Sequence, residues 1–209
     1  MRYRPADGHG LPHDPFKAIV APRPIGWIST VDEEGRANLA PYSFFNAVAD
    51  RPPVVMYSTT GRKLGLDERK DSLANIRRTG EFVVNLTSWD LREQMNATSA
   101  HLPHGEDEFL AAGLEKAPSV EVAPPRVAAA PAALECRLLQ EVALPCWDET
   151  GENVVVFGEV VHIHIRDDMI VDGRFDLTRS RPLARCGYQD YAVVERLFQM
   201  RRPGQGGGR

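Results

Sequence analysis

The sequence predicts a mainly β fold, a barrel of strands with short helices inserted between them. Three observations carry this. Runs rich in β-branched residues recur along the chain, the longest spanning 153–166. Gly158 sits inside that run and marks a bulge or sharp bend, as at a barrel corner. No strand–helix–strand alternation and no internal repeat occur, which argues against a doubly wound α/β sheet. The glycine cluster near the C-terminus follows no strand and opens no helix, so it is not a dinucleotide fingerprint.

The elements follow in order. Residues 1–15, rich in Pro, Gly and His, read as an N-terminal arm; 17–21 read as a short strand. Segments 25–31 and 36–43, joined by a Gly-containing turn, form a hairpin. Pro52 and Pro53 open a strand through Ser58, where no ladder donor is lost. Residues 61–70 are charged and loop-like. A short helix spans 71–78, with Asp71 as its N-cap and Gly80 as its stop. A strand at 81–86 and helices at 91–100 and 106–112 follow. The Pro- and Ala-rich stretch 122–131 reads as an extended connection. A strand covers 134–145, with Leu138, Val142 and Leu144 on one parity. Apolar spacing over 191–200 suggests a last helix, and the tail beyond it reads as disordered. The expected organisation is one domain over 16–203, with the arm at 1–15 and the tail at 204–209.

The chain has 209 residues, a length that suits one domain and buries roughly 70% of its unfolded surface without a metal or disulfide. A net charge of −4 excludes a dominant nucleic-acid surface, so any anion site must be local. Three cysteines, Cys136, Cys146 and Cys186, match no zinc or redox spacing and suggest a reducing, cytoplasmic compartment. The first residues lack an apolar signal-peptide core, and no apolar run approaches the ~20 residues of a membrane span.

Within 23–30 and 38–46, polar groups interrupt two half-buried strands. Arg23, Ser29, Thr30, Ser43 and Asn46 are donors with no catalytic base beside them. Such a set suits gripping a flat, polar, anionic ligand better than attacking a bond. The most economical ligand of that description is flavin mononucleotide (FMN).

The succession Arg23-Pro24-Ile25, Ser29-Thr30, Asn38-x-Ala40-Pro41-x-Ser43-Phe44-x-Asn46, Pro52-Pro53, Lys70-Asp71-Ser72-x-x-Asn75 and Glu81-Phe82-x-x-Asn85 resembles the flavin reductase-like family. Its fold is the FMN-binding split barrel, and the flavoredoxin-like branch is the nearest in pattern. Phe157 to His162 and Arg185-x-Gly187-x-x-x-Tyr191 are similar to the far end of that family. The resemblance implies a homodimer with flavin near the subunit interface; the charge and the short apolar runs speak against a nucleic-acid or membrane partner. It implies an oxidoreductase, in the simplest case an NADH- or NADPH-dependent flavin reductase feeding a monooxygenase or another acceptor. A flavoredoxin-like electron carrier and a cofactor-free interaction protein are the alternatives. The preference for FMN over FAD rests on the family alone.

An FMN phosphate needs hydroxyls, backbone N–H groups and a cation. Ser58, Thr60, Lys70 and Ser72 are the candidates, and Asp71, Ser72 and Asn75 lie where a helix opens. The family more often has threonine where Ser72 stands. The plainer reading is that Asp71 and Ser72 only cap a helix. For the ring the candidates are Arg23, Pro24, Ile25, Trp27, Ser29, Ser43, Phe44, Phe45 and Asn46. Strand parity separates Ile25, Trp27 and Ser29 from Gly26, Ile28 and Thr30, so these cannot all touch one ligand. Trp27 and Phe44 read equally well as core aromatics, and Arg23-Pro24 as a strand-opening turn. Tyr191 could cover the ring or anchor a helix. His162 and His164 share a strand face, but no third metal ligand is legible, which favours a packed or interface role. His101 and His104 fall in a polar loop broken by Pro103.

Overall fold

The computed structural model describes residues 1–63, 70–147, 151–201 and 203. Residues 64–69 of the loop expected over 61–70, and the tail at 204–209, lie outside the described residues.

The chain begins with an arm leading to a one-turn helix, α1 (Phe16–Ile19), where a strand was expected. Asp14 Oδ1 accepts the Phe16 N–H, and Phe16, Ile19 and Val20 fall at helical spacing. The pair β1 (Arg23–Pro24) leads into the hairpin β2 (Gly26–Val31) and β3 (Ala37–Tyr42), as the turn chemistry predicts. Then come β4 (Phe45–Asp50) and β5 (Pro53–Thr60). Helix α2 (Asp71–Thr79) stops at Gly80, which is left-handed, but its N-cap is Lys70 and not Asp71. Asp71 lies in the first turn with its carboxylate committed to ion pairs. Next are β6 (Glu81–Leu86), α3 (Arg92–Ala97) and α4 (Glu108–Ala111). Both of those helices are shorter than the sequence suggests. Within the expected extended connection, β8 (Arg126–Val127) pairs with β7 (Lys116–Ala117).

Two 13-residue strands, β9 (Ala132–Leu144) and β10 (Asn153–Ile165), form the spine of the sheet. The small hairpin β11 (Ile170–Val171) and β12 (Arg174–Phe175), helix α5 (Leu177–Ser180), and strands β13 (Leu183–Gly187) and β14 (Asp190–Val193) complete the chain. The helix expected over 191–200 is absent. Tyr191 pairs with Arg185 across β13 and β14, and ladder pairing outweighs the local helical spacing.

Seven strands form one antiparallel sheet in the order β3-β2-β6-β9-β10-β5-β4, and a second sheet runs β1-β13-β14. Pro41 is tolerated because β3 is an edge strand. Strand β2 is buried on both faces, between two cores. Ile28 joins Tyr42, Tyr57, Ile76 and Phe82 on one side, whereas Trp27 and Val31 join Leu39, Met95 and Phe109 on the other. The bend expected at Gly158 coincides with a register shift between Phe157 and Gly158. A Cβ there would stand 2.3 Å from Phe82 Cζ, so only glycine lets that ring close the first core. No helix among the described residues is long and apolar enough to cross a membrane.

Candidate functional site

A cleft of about 1230 Å³ opens where the β3–β5 region meets α1, α3 and the second sheet. Gly187 sets one wall. Its φ of +100° suits glycine, and a Cβ would stand 2.7 Å from Ala18 Cα, so the missing side chain lets α1 close on β13.

Half of the residues singled out from sequence line this cleft: Arg23, Ile25, Ser43, Phe44, Ser58, Thr60, Lys70 and Tyr191. Ser58 and Thr60 share one face of β5 by parity, and the Ser58 N–H bonds the Phe44 carbonyl at 2.7 Å, drawing the β3–β4 bend against β5. The Arg23 guanidinium donates through Nη1 to the carbonyls of Lys17 and Val20, fastening α1 to the cleft. It lies 5.8 Å from the Phe44 ring centroid, and its Nε is buried with no partner among the described residues.

The other eight lie elsewhere, each for a local reason. Trp27 is fully buried in the second core, where its Nε1 donates to Thr98 Oγ1 at 2.9 Å. Ser29, on the same face, donates to the Pro125 carbonyl at 2.6 Å. Pro24 is exposed on β1, and Phe45 packs over Gly26 against the first core. Asn46 is exposed and accepts the N–H of its neighbour Ala47. Asp71 pairs with Lys63 and with His104, both at 2.7 Å. Ser72, 1% exposed, donates to Asn38 Oδ1 at 2.9 Å, and Asn75 donates to Thr30 Oγ1 at 3.0 Å. Asp71 and Ser72 face a separate cavity of about 110 Å³ behind Lys70. Glu108 anchors this inner network, accepting from Asn38 Nδ2 and from the Leu39 N–H, both at 2.9 Å. Burial pushes the Glu108 carboxyl above its ordinary range despite those bonds.

The cleft is cationic. Lys17, Arg23, Lys70, Arg92 and Arg185 line it against Asp14 and Glu93. Glu93 pairs with Arg92 at 3.3 Å, and Asp14 accepts the Phe16 N–H at the start of α1. Lys70 makes no ion pair among the described residues. Burial, then the charge of Lys17, holds its ammonium below the usual lysine range. Its Nζ lies 5.8 Å from the Tyr42 ring centroid. The Tyr42 phenol is pushed up to about 12 by burial, so it stays neutral beside an anion. A like-charged, partly desolvated lysine beside two hydroxyls is an arrangement that an anion relieves.

Sequence reasoning missed a second wall. Trp89, Arg92, Glu93, Asn96 and Ser99 line the cleft together. Their spacing of three and four residues is a helical face, a signal that was available in the sequence. Pro12, His13, Asp14 and Lys17 come from the arm and α1, and nothing local in the sequence marks them.

The flavin reductase like domain model matches residues 20–179. The chain belongs to this flavin-binding family. A protein of Deinococcus radiodurans is 37% identical over 209 residues, covering 90% of this chain and 88% of that protein. Among solved structures, nitrilotriacetate monooxygenase component B from Bacillus cereus is 30% identical, covers 96% of this chain and 98% of that one, and has a TM-score of 0.85. Flavoredoxin of Desulfovibrio vulgaris has a TM-score of 0.75 at 19% identity, covering 99% of this chain and 100% of that one, and shares the fold. The mainly β architecture is therefore that of the flavin reductase split barrels, as the resemblance implied.

Proposed function

We propose that this chain is an FMN-dependent oxidoreductase, in the simplest case an NAD(P)H:flavin reductase. The observation that carries this is Lys70, a partly buried ammonium with no ion pair among the described residues, beside Ser58, Thr60 and Lys17 in one cleft. The residues fit the cofactor: Arg23, which lines that same cleft, carries a buried Nε donor with no partner among the described residues. Lys70, Ser58 and Thr60 would hold the phosphate end. Arg23 and Ser43 would bond the polar edge of the ring, while Phe44 and Tyr191 cover its faces. The flavin, when bound, supplies a two-electron acceptor for hydride. The protein contributes position and a positive field. Arg185, 4.4 Å from the Tyr191 ring centroid, and Arg92 stiffen the opposite wall, where an anionic nicotinamide donor would enter.

The similarity to a monooxygenase component supports a monooxygenase as the next acceptor. Exposed Phe16, Ile19, Val20, Phe198 and Met200 support a homodimer covering them. The free thiols support a reducing, cytoplasmic setting. The deciding experiment is anaerobic mixing of the FMN-loaded protein with NADH and, separately, NADPH. Loss of the oxidised flavin absorbance with either supports the reading. Persistence of that absorbance with both, but reduction by a protein donor, would assign an electron carrier instead.

A further inference from the structure

Outside the cleft lining, three metal-ligating side chains meet on one face of the sheet. The register shift between Val160 and His162 re-aims the end of β10, so that His162 pairs with Glu135 of β9. His162 and His164 therefore stand on the same face as Glu135, with ring centroids 4.6 Å apart. One ligand atom from each of the three lies within 4.8 Å of the others. Glu135 is the third ligand that the sequence did not reveal.

We propose that Glu135, His162 and His164 form a binding site for a divalent transition cation of the zinc class. Two imidazoles and one carboxylate are a common zinc set, and they leave a fourth position for water. The outer shell is built to aim the carboxylate. The Val120 N–H bonds Glu135 Oε1 at 2.8 Å, and the Glu121 and Val122 N–H groups bond Oε2 at 2.6 and 3.2 Å. Glu135 is 0% exposed, a buried carboxylate whose one side-chain partner among the described residues is His164. The His162 ring makes no hydrogen bond with any described residue, so its nitrogens are uncommitted beside that pair. A structural His–Glu pair alone would not require it there. Both histidines are only half-buried, which leaves a route in for the ion. The bound cation would pin the stretch around Val122 to β9 and β10, beside the small core of Val83, Ala133 and Val161.

The site shares no residue with the cleft, so its test is independent of flavin chemistry. The chelator-treated chain is titrated with zinc chloride by calorimetry, and with cobalt chloride by visible absorption. The expected result is saturable binding of one ion per chain, with the intense visible bands of cobalt in a low-coordinate nitrogen–oxygen site. His162→Ala should weaken zinc binding by at least ~10-fold and abolish those bands, while its far-ultraviolet dichroism matches the parent. His9→Ala, on the exposed arm, should leave binding unchanged. The proposal is overturned if the parent chain binds no zinc saturably, or if folded His162→Ala binds it as tightly as the parent. Replacing Glu135 is a poor first test, because its loss would also release the N–H groups at 120–122.

Discussion

The cleft and the polar network behind it use the same residue types and meet at Lys70, yet they differ in how their hydrogen bonds are spent. In the inner network Ser72, Asn38, Thr30, Asn75 and Glu108 bond one another, and among the described residues only Asn75 Oδ1 of this set lacks a partner. In the cleft, Lys70 faces Lys17, and Arg23 Nε has no partner among the described residues. A buried polar group is costly until it is paired, so a network that closes on itself is structure. A set left open on a cleft wall is where an external anion gains most.

The largest effect that would sharpen this contrast is on stability. Glu108→Ala orphans the Leu39 N–H and Asn38 Nδ2, at ~1–3 kcal/mol each. A loss of about 3 kcal/mol or more in urea unfolding is expected, and an unchanged midpoint would break the assignment of the inner network to structure. Lys70→Ala should act the other way. FMN affinity falls by about 1.5–3 kcal/mol, measured by flavin fluorescence titration, while the free protein is no less stable.

A pH series separates the two regions further. The folded-state pKa of Lys70 is depressed, so in the window between it and the ordinary lysine value the unfolded chain binds more protons. Stability of the free protein should therefore rise as pH climbs through that window. FMN affinity should fall over the same window, by at most about tenfold per pH unit, because the phosphate selects the charged ammonium. Lys70→Arg should flatten both trends. An FMN affinity independent of alkaline pH in the parent would remove Lys70 from the phosphate site.

The smallest expected effect is at Ser72, and it bears on a residue first named from sequence as a phosphate ligand. Its hydroxyl is spent on Asn38 inside the network. Ser72→Ala should cost about 1 kcal/mol of stability and leave FMN affinity unchanged. A loss confined to affinity would put Ser72 back in the cleft.

Strand identity was legible wherever local pattern and tertiary pairing agree. The hairpin of β2 and β3, the strand β6, and the bend at Gly158 follow from alternation, turn residues and a glycine inside a β-branched run. The elements misread, α1 and β14, are short, and in short elements packing outweighs propensity. Ser43 was legible because polar groups break an apolar pattern there, and Ser58, Thr60 and Lys70 because a phosphate calls for hydroxyls and a cation; all four line the cleft.

The sequence by itself determined the family, the run of strands and a pool of donors between Arg23 and Asn75. Tertiary structure alone decided which donors are spent. β2 lies between two cores, so Trp27 and Ser29 are turned away from the cleft, while α2 turns Ser72 and Asn75 inward. It also brought Lys17, Arg92 and Arg185 to the cleft, and Glu135 to His162 and His164. The physical reason is that a hydrogen bond's partner is chosen by distance in space, and residues far apart along the chain become neighbours only when the sheet closes.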